Sequence, residues 1–265
     1  MEMSTVAQLA ELNRRFYEEH AESFADSRPR LQPGVPRILG RIGAGARVLE
    51  VGCGDGQVAR ALRNTQYTGI DQSAGLLERA RSFATNDERR RTTEEAAFAL
   101  GRAKQSFVLG DVLSAESLPP GPYDFILAFA VFHHLPGGAT RERVLKQLAR
   151  RLAPGGSFVF SNWQFHRGSR FHRLRAPWST IGLNEADVEP GDALLTWERK
   201  GQPGLRYVHA LDEAEARGLA TGAGLAVTEV FTSDGHTGDL AEYVVMSAAP
   251  QQQSTCPPPE SAVSR

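Results

Sequence analysis

Apolar positions change period several times along the chain. Over residues 6–24, Leu9, Leu12, Phe16 and Phe24 recur at roughly helical spacing before Pro29, Pro33, Gly34 and Pro36 break the pattern, which predicts an amphipathic helix within an N-terminal helical segment, residues 1–40. Short β-like runs then alternate with helical ones. Strands are predicted at Arg47–Val51, Tyr67–Ile70, Ser106–Leu109, Phe125–Phe129 and Ser157–Asn162, and helices from Gln57, from Ala74 and through Arg141–Leu152. This alternation predicts an α/β fold with a doubly wound, mostly parallel sheet. Leu225–Phe231 and Leu240–Met246 are separated only by the turn-rich TSDGHTGD, too short for a helical crossover, so they should close a seven-stranded sheet as an antiparallel hairpin.

Three stretches fall outside this rhythm. Asn86–Gln105 reads as a charged helical insertion. Residues 164–205, with Pro177, Pro190 and several glycines, read as an irregular insertion able to cover the carboxyl end of the sheet as a lid or substrate-binding segment. Residues 249–265 are rich in Pro, Gln and Ser without apolar periodicity and are expected to be a disordered tail behind a single domain of residues 1–248.

Composition sets limits. Of 265 residues, 41% are hydrophobic and 23% charged, ordinary globular usage, and the net charge of −1 supplies no global field for a polyanion, so any such site must be local. The longest apolar run, Phe125–Phe132, falls far short of the ~20 residues of a membrane span. The two cysteines, Cys53 and Cys256, offer neither a disulfide framework nor metal-ligand spacing. A cytoplasmic protein without membrane partner or metal is expected.

The candidate chemistry lies in Glu50-Val51-Gly52-Cys53-Gly54-Asp55-Gly56, where an apolar strand runs into a glycine loop and then a helix. A dinucleotide fingerprint would need glycine at position 57, where the chain has Gln57. Asp71 ends the second strand 21 residues after Glu50, placed to accept both hydroxyls of a ribose. The segment from Arg47 to Asn162 resembles the class I S-adenosylmethionine-dependent methyltransferases. That resemblance implies that Gly52 and Gly54 lie against S-adenosylmethionine, that Glu50 orients the loop or the methionine ammonium, and that Asp71 holds the ribose. It also implies that Asp111 and Val112 read the adenine, and that Phe129 and Ala130 wall the methionine portion.

For the acceptor, Cys53 sits in the glycine loop and Cys256 in the tail, so no cysteine is placed for methylation of a pyrimidine carbon. Ala128–Leu135 lacks the Pro-Pro-aromatic motif of adenine amino-methyltransferases. His133 and His134 are adjacent and on extended backbone would point apart, which suits a local structural role with one imidazole able to face substrate. His166–Arg175 carries Arg167, Arg170, Arg173 and Arg175 without an acid, directly after the fifth strand, a candidate phosphate-binding patch in which Phe171 and Trp178 are expected to stack on bases.

A closer resemblance covers nearly the whole folded region. Leu12–Tyr17, Phe24, Ser27-Arg28, Val131–His134, Asn162-Trp163, Gly191–Trp197 and Arg206–Leu211 are similar to the tRNA wobble-uridine carboxymethyl methyltransferases. Membership would imply methyl-ester formation on a carboxylate of a tRNA anticodon uridine. Such a carboxylate, with a pKa near ~4, needs no general base at neutral pH. The resemblance implies Arg28, Arg206 and His209 as carboxylate or phosphate contacts, Tyr17 closing over the cofactor, and His133, Trp163 and Trp197 shaping the acceptor pocket. Two other readings stand: a methyltransferase of a small carboxylate or hydroxyl metabolite, and a non-catalytic cofactor-binding partner protein.

Overall fold

The computed structural model of the protein describes residues 1–26, 30–62, 64–90, 104–167, 169–199 and 201–249. Its first half runs α1 (Met3–Glu19), α2 (Ala21–Asp26), α3 (Gly34–Leu39), β1 (Arg47–Val51), α4 (Gln57–Ala61), β2 (Gln66–Asp71), α5 (Ala74–Arg90), β3 (Lys104–Leu109) and β4 (Tyr123–Phe129). The second half runs α6 (Gly138–Ala149), β5 (Leu152–Trp163), α7 (Ser169–His172), β6 (Arg175–Ala176), β7 (Asp192–Arg199), β8 (Gln202–His209), α8 (Glu213–Gly222), β9 (Leu225–Ser233) and β10 (Ala241–Ala248).

The main sheet has seven strands in the order β3-β2-β1-β4-β5-β10-β9, with β1 to β5 parallel and β10 antiparallel to both of its neighbours. The predicted doubly wound sheet and its terminal hairpin are therefore present. β1 lies inside the sheet, and Val48, Leu49 and Val51 alternate between its two buried faces. Leu49 and Val51 join Phe158, Phe160, Val244 and the α6 residues Val144, Leu145 and Leu148, while Val48 joins Ile38, Tyr67 and Tyr243 on the opposite face.

The N-terminal pattern is two helices rather than one, interrupted at His20 (φ −114°, ψ 12°). The helix predicted through Leu152 ends at Ala149, since Leu152 already opens β5. The larger difference is in the insertion. Within the stretch read as irregular, β6, β7 and β8 form a separate three-stranded antiparallel sheet. The first half of β7 is buried on both faces: Ala193 and Leu195 pack with Phe165, Phe171 and Val208, and Leu194 packs with Leu9, Trp178 and Tyr207. A strand covered on both faces shows no polar alternation, so its period is invisible in the sequence. The predicted tail beyond Ala249 and most of the charged insertion lie outside the described residues.

An ion network ties the small sheet to the main domain. Arg141 of α6, only 2% exposed, bonds Glu189 and Glu215 at 2.7 Å each and donates to the Leu135 carbonyl at 3.0 Å. His209 of β8 bonds Asp192 through Nδ1 and Glu215 through Nε2, both at 2.7 Å, and the Tyr207 hydroxyl donates to Asp192 at 2.7 Å. Glu189, Asp192 and His209 are close enough to share a cation, and Arg141 supplies positive charge there. Removing a guanidinium from such a buried cluster leaves carboxylates uncompensated, so Arg141→Ala should cost about 3–5 kcal/mol in denaturant unfolding. Burial lowers the pKa of His209, but the bonds to Asp192 and Glu215 outweigh it and leave the imidazole above its usual 6.5. The network's stabilisation is complete below about pH 6.5 and is lost as pH rises through the folded value, a decline that His209→Asn should abolish in a pH series of melting curves.

Candidate cofactor and acceptor site

The chain turns sharply after β1. Gly52 and Cys53 both donate their amides to the Ile70 carbonyl, at 2.8 and 3.1 Å, which folds the glycine loop over the end of β2. Gly52 holds φ +70°, and a Cβ there would stand 2.5 Å from Val131 Cγ2, so a side chain is excluded both by backbone conformation and by space. Two residues on, the Gly54 amide donates to Asp71 Oδ2 at 2.8 Å, and the other oxygen of Asp71 accepts from Ser73 at 2.9 Å. Asp71 thus fixes the loop while facing the same space.

That space is a cavity of about 710 Å³ across the carboxyl ends of β1 to β5, where open α/β sheets bind ligands. Every expected cofactor residue lines it: Tyr17, Glu50, Gly52, Gly54, Asp71, Asp111, Val112, Phe129 and Ala130. Glu50 is buried and accepts a hydrogen bond from the Tyr67 hydroxyl. Burial pushes its carboxyl up to about 8, against the opposing effect of that bond. Asp71 is likewise raised by burial. Neither makes a salt bridge among the described residues. A buried and a half-buried carboxylate beside the glycine loop fit a ligand bearing cationic charge and hydroxyl donors, which S-adenosylmethionine provides. When bound, it supplies an electrophilic methyl group on a sulfonium, and the chain's task is to position and desolvate.

The acceptor residues divide. His133 and Trp163 line the cavity, and the Trp163 amide donates to His133 Nδ1 at 3.3 Å. Arg206 stands one layer out, with its guanidinium 4.9 Å from the Trp163 ring and 5.5 Å from that of Phe16. His209 is engaged in the ion network away from the cavity, and Trp197 packs on Phe16 and His20 at 5.5 and 4.9 Å. Arg167, Arg173 and Arg175 are exposed on the surface segment after β5, Arg170 begins α7, and Arg28 lies outside the described residues. Phe171 and Trp178, expected to stack on bases, are instead buried: Phe171 packs edge-on against Trp163 at 4.7 Å, and Trp178 packs with Leu9 and Leu194.

Several lining residues escaped sequence reasoning. Buried Asn13 donates to the His134 and Tyr207 carbonyls at 3.1 Å each and accepts from the Tyr207 amide at 2.8 Å. His134 meets Tyr17 at 2.6 Å. On the opposite wall, Tyr243 donates to Asp234 at 2.7 Å. Only the adjacent histidines carried a signal in the sequence.

Two outcomes test the cofactor end. Losing the charged hydrogen-bond partner in Asp71→Ala should cost about 1.5–3 kcal/mol of S-adenosylmethionine affinity by calorimetry. If the ligand's ammonium lies against Glu50, it selects the ionised carboxyl, so affinity between pH 6 and 7.5 should rise with pH by up to about tenfold per unit, and Glu50→Gln should flatten that rise.

A family profile described as a methyltransferase domain matches residues 17–230. Among curated relatives, a protein of Encephalitozoon cuniculi that bears the name of a methyltransferase is 28% identical over 221 residues, covering 83% of this chain and 90% of that one. A tRNA (carboxymethyluridine(34)-5-O)-methyltransferase of Schizosaccharomyces pombe is 24% identical over 186 residues, covering 70% and 67%. The chain spans only about a third of the length of the mammalian tRNA methyltransferases it also matches. In fold it is similar to a SAM-dependent methyltransferase from Methanosarcina mazei, with TM-score 0.60 and 19% identity over 83% of this chain and 98% of that one. With the glycine loop, the paired carboxylates and the strand order in place, the chain belongs to the methyltransferase domain family and is an S-adenosylmethionine-dependent methyltransferase.

Proposed function

We propose that the acceptor is a carboxylate carried on a tRNA, the carboxymethyl group of a wobble uridine, and that the product is its methyl ester. Arg206 carries this reading. It is 6% exposed, its Nε lacks a hydrogen-bond partner, and among the described residues it has no carboxylate partner, only the rings of Phe16 and Trp163. A guanidinium taken out of water without a counterion is costly, and an acceptor carboxylate lodged beside Trp163 would supply the missing anion. The similarity to the Schizosaccharomyces pombe carboxymethyluridine methyltransferase supports the same acceptor. The exposed arginines of 166–175 would then meet the RNA backbone, and the small sheet with its flanking loops would wall the acceptor.

The test is methylation of tRNA bearing wobble 5-carboxymethyluridine, read by nucleoside mass spectrometry. Arg206→Ala should lower methyl transfer by about 10- to 100-fold. Replacing Arg167, Arg170, Arg173 and Arg175 by Gln should flatten the salt dependence of tRNA binding, by up to about one unit of slope per lost phosphate contact, with cofactor affinity unchanged. If the wild type binds tRNA no better than the fourfold variant and methylates a metabolite extract instead, a small-molecule acceptor replaces this reading.

A further inference from the structure

The wall between the cofactor end and Trp163 holds a hydrogen-bond chain that the carboxylate reading leaves unused. His134 Nδ1 lies 3.1 Å from the Tyr207 carbonyl oxygen, and its Nε2 lies 2.6 Å from the Tyr17 hydroxyl. A carbonyl only accepts, so Nδ1 bears a hydrogen. Asn13 fixes that carbonyl, donating to it at 3.1 Å while taking the Tyr207 amide at 2.8 Å. With the imidazole neutral, Nε2 is therefore an acceptor and the hydrogen of Tyr17 is committed to it. Adding a proton to Nε2 reverses this bond: the imidazolium donates to the phenol oxygen, and the phenol hydrogen is released. Both side chains line the cavity.

We propose that Tyr17 and His134 form a proton-dependent receptor for the acceptor's carboxylate, in which the arriving anion draws one proton onto His134 Nε2 and turns the Tyr17 hydroxyl into a donor to that anion. The inference rests on the carboxylate reading and deepens it, naming a second cationic group beside Arg206. The balance is simple. One proton enters with the carboxylate, an N–H bond forms at Nε2, and the proton leaves again once the acceptor has become a neutral ester.

The surroundings explain why the proton should come with the anion. From α1 the pair faces Arg14, already bridged to Glu11 and Glu18 at 2.7 Å, and from the same turn it faces His133, whose ring lies 4.2 Å from that of His134. From β8 come Arg206, stacked on Trp163, and Tyr207, whose hydroxyl is held by Asp192. Glu50, Asp55 and Asp71 line the cofactor end of the same cavity. The Arg206 guanidinium, packed on Trp163, disfavours a further cation on this wall until an anion arrives. A hydroxyl acceptor would use the pair in the opposite sense, giving its proton through Tyr17 to Nε2, and its rate would rise with pH.

The test combines a probe of the protein alone with a probe of the reaction. In the full chain labelled with 15N-histidine, His134 should show the Nδ1–H neutral tautomer, and free 5-carboxymethyluridine should shift it to the imidazolium; a resting Nε2–H tautomer, or no shift with bound nucleoside, overturns the proposal. Calorimetry with an anticodon stem-loop bearing wobble 5-carboxymethyluridine, in buffers of different ionisation enthalpy, should show uptake of about one proton. The methyl-ester stem-loop should show none, and His134→Gln should lose the uptake. KM for the carboxylate stem-loop should climb at least tenfold from pH 6.5 to 8.5 in the wild type and stay level in His134→Gln, with Tyr17→Phe raising KM at the lower pH. A stem-loop that is methylated without proton uptake overturns the receptor and leaves the tRNA reading standing. A stem-loop that is ignored, while the free nucleoside still protonates His134, overturns the tRNA reading and leaves the receptor. Faster turnover of a 5-(2-hydroxyethyl)uridine stem-loop with rising pH, lost in Tyr17→Phe, would make the pair a base and overturn it.

Discussion

The amide side chain of Asn13 joins three pieces of chain that are far apart in sequence: α1, the turn after β4 and strand β8. A parallel sheet leaves its carboxyl edge open, and whatever covers that edge must bring satisfied polar groups with it. Asn13 meets this condition with three hydrogen bonds in a buried position, and the apolar contacts follow its register. Leu9 falls one turn earlier against Leu194 and Tyr207, and Phe16 falls one turn later beneath Arg206. The roof of the cavity is thus α1 laid on the small sheet, and the ion network around Arg141 anchors that sheet to α6 and α8.

The cavity is electrically divided. At the cofactor end, buried Glu50 and half-buried Asp71 flank the glycine loop, and both carboxyls are held above their usual range by desolvation. Toward Trp163 two imidazoles line the cavity, and Arg206 stands a layer behind, packed on the Trp163 ring. On the carboxylate reading proposed above, a cationic methyl donor and an anionic acceptor would attract each other in a space from which bulk water is largely displaced. Such an arrangement favours approach of the two reactants without requiring a strong base on the protein.

The sequence made the main sheet legible because its parallel strands are short continuous apolar runs separated by helical ones, and because the glycine loop and Asp71 must stand at particular strand ends. All nine residues assigned to the cofactor line one cavity for that reason. The small sheet was not legible, since the first half of β7 is buried on both faces and its stretch of Ala193, Leu194 and Leu195 carries no alternation. Nor was the role of Asn13, whose partners lie 121 and 194 residues away; the adjacent histidines stood out, but not the Tyr207 carbonyl that orients His134. Phe171 and Trp178 misled because an aromatic within a basic stretch reads equally as a stacking platform or as the core of a small subdomain, and only the β7 partners decide.

The end of β4 shows how the rest of the fold is used to hold reacting geometry. Ala130 adopts φ +56°, a region that a residue with a Cβ occupies only when its neighbours enforce it. Its amide is taken by both the carbonyl and the hydroxyl oxygen of Ser161, each at 3.1 Å. Tyr243, the cross-strand neighbour of Ser161, is held in turn by Asp234, which also caps the first amide of α3 at Gly34 and itself sits at φ +71°. Phe231 stacks on Tyr243 at 4.9 Å and Arg37 lies over Phe231 at 3.9 Å, so the chain of support runs from the surface through the antiparallel hairpin to the cavity wall. An in-line displacement tolerates little error in the separation and angle of its reactants. Two left-handed residues braced by a buried phenol and carboxylate are a stiff way to set that wall, and they give the hairpin appended to the parallel sheet a direct part in shaping the site.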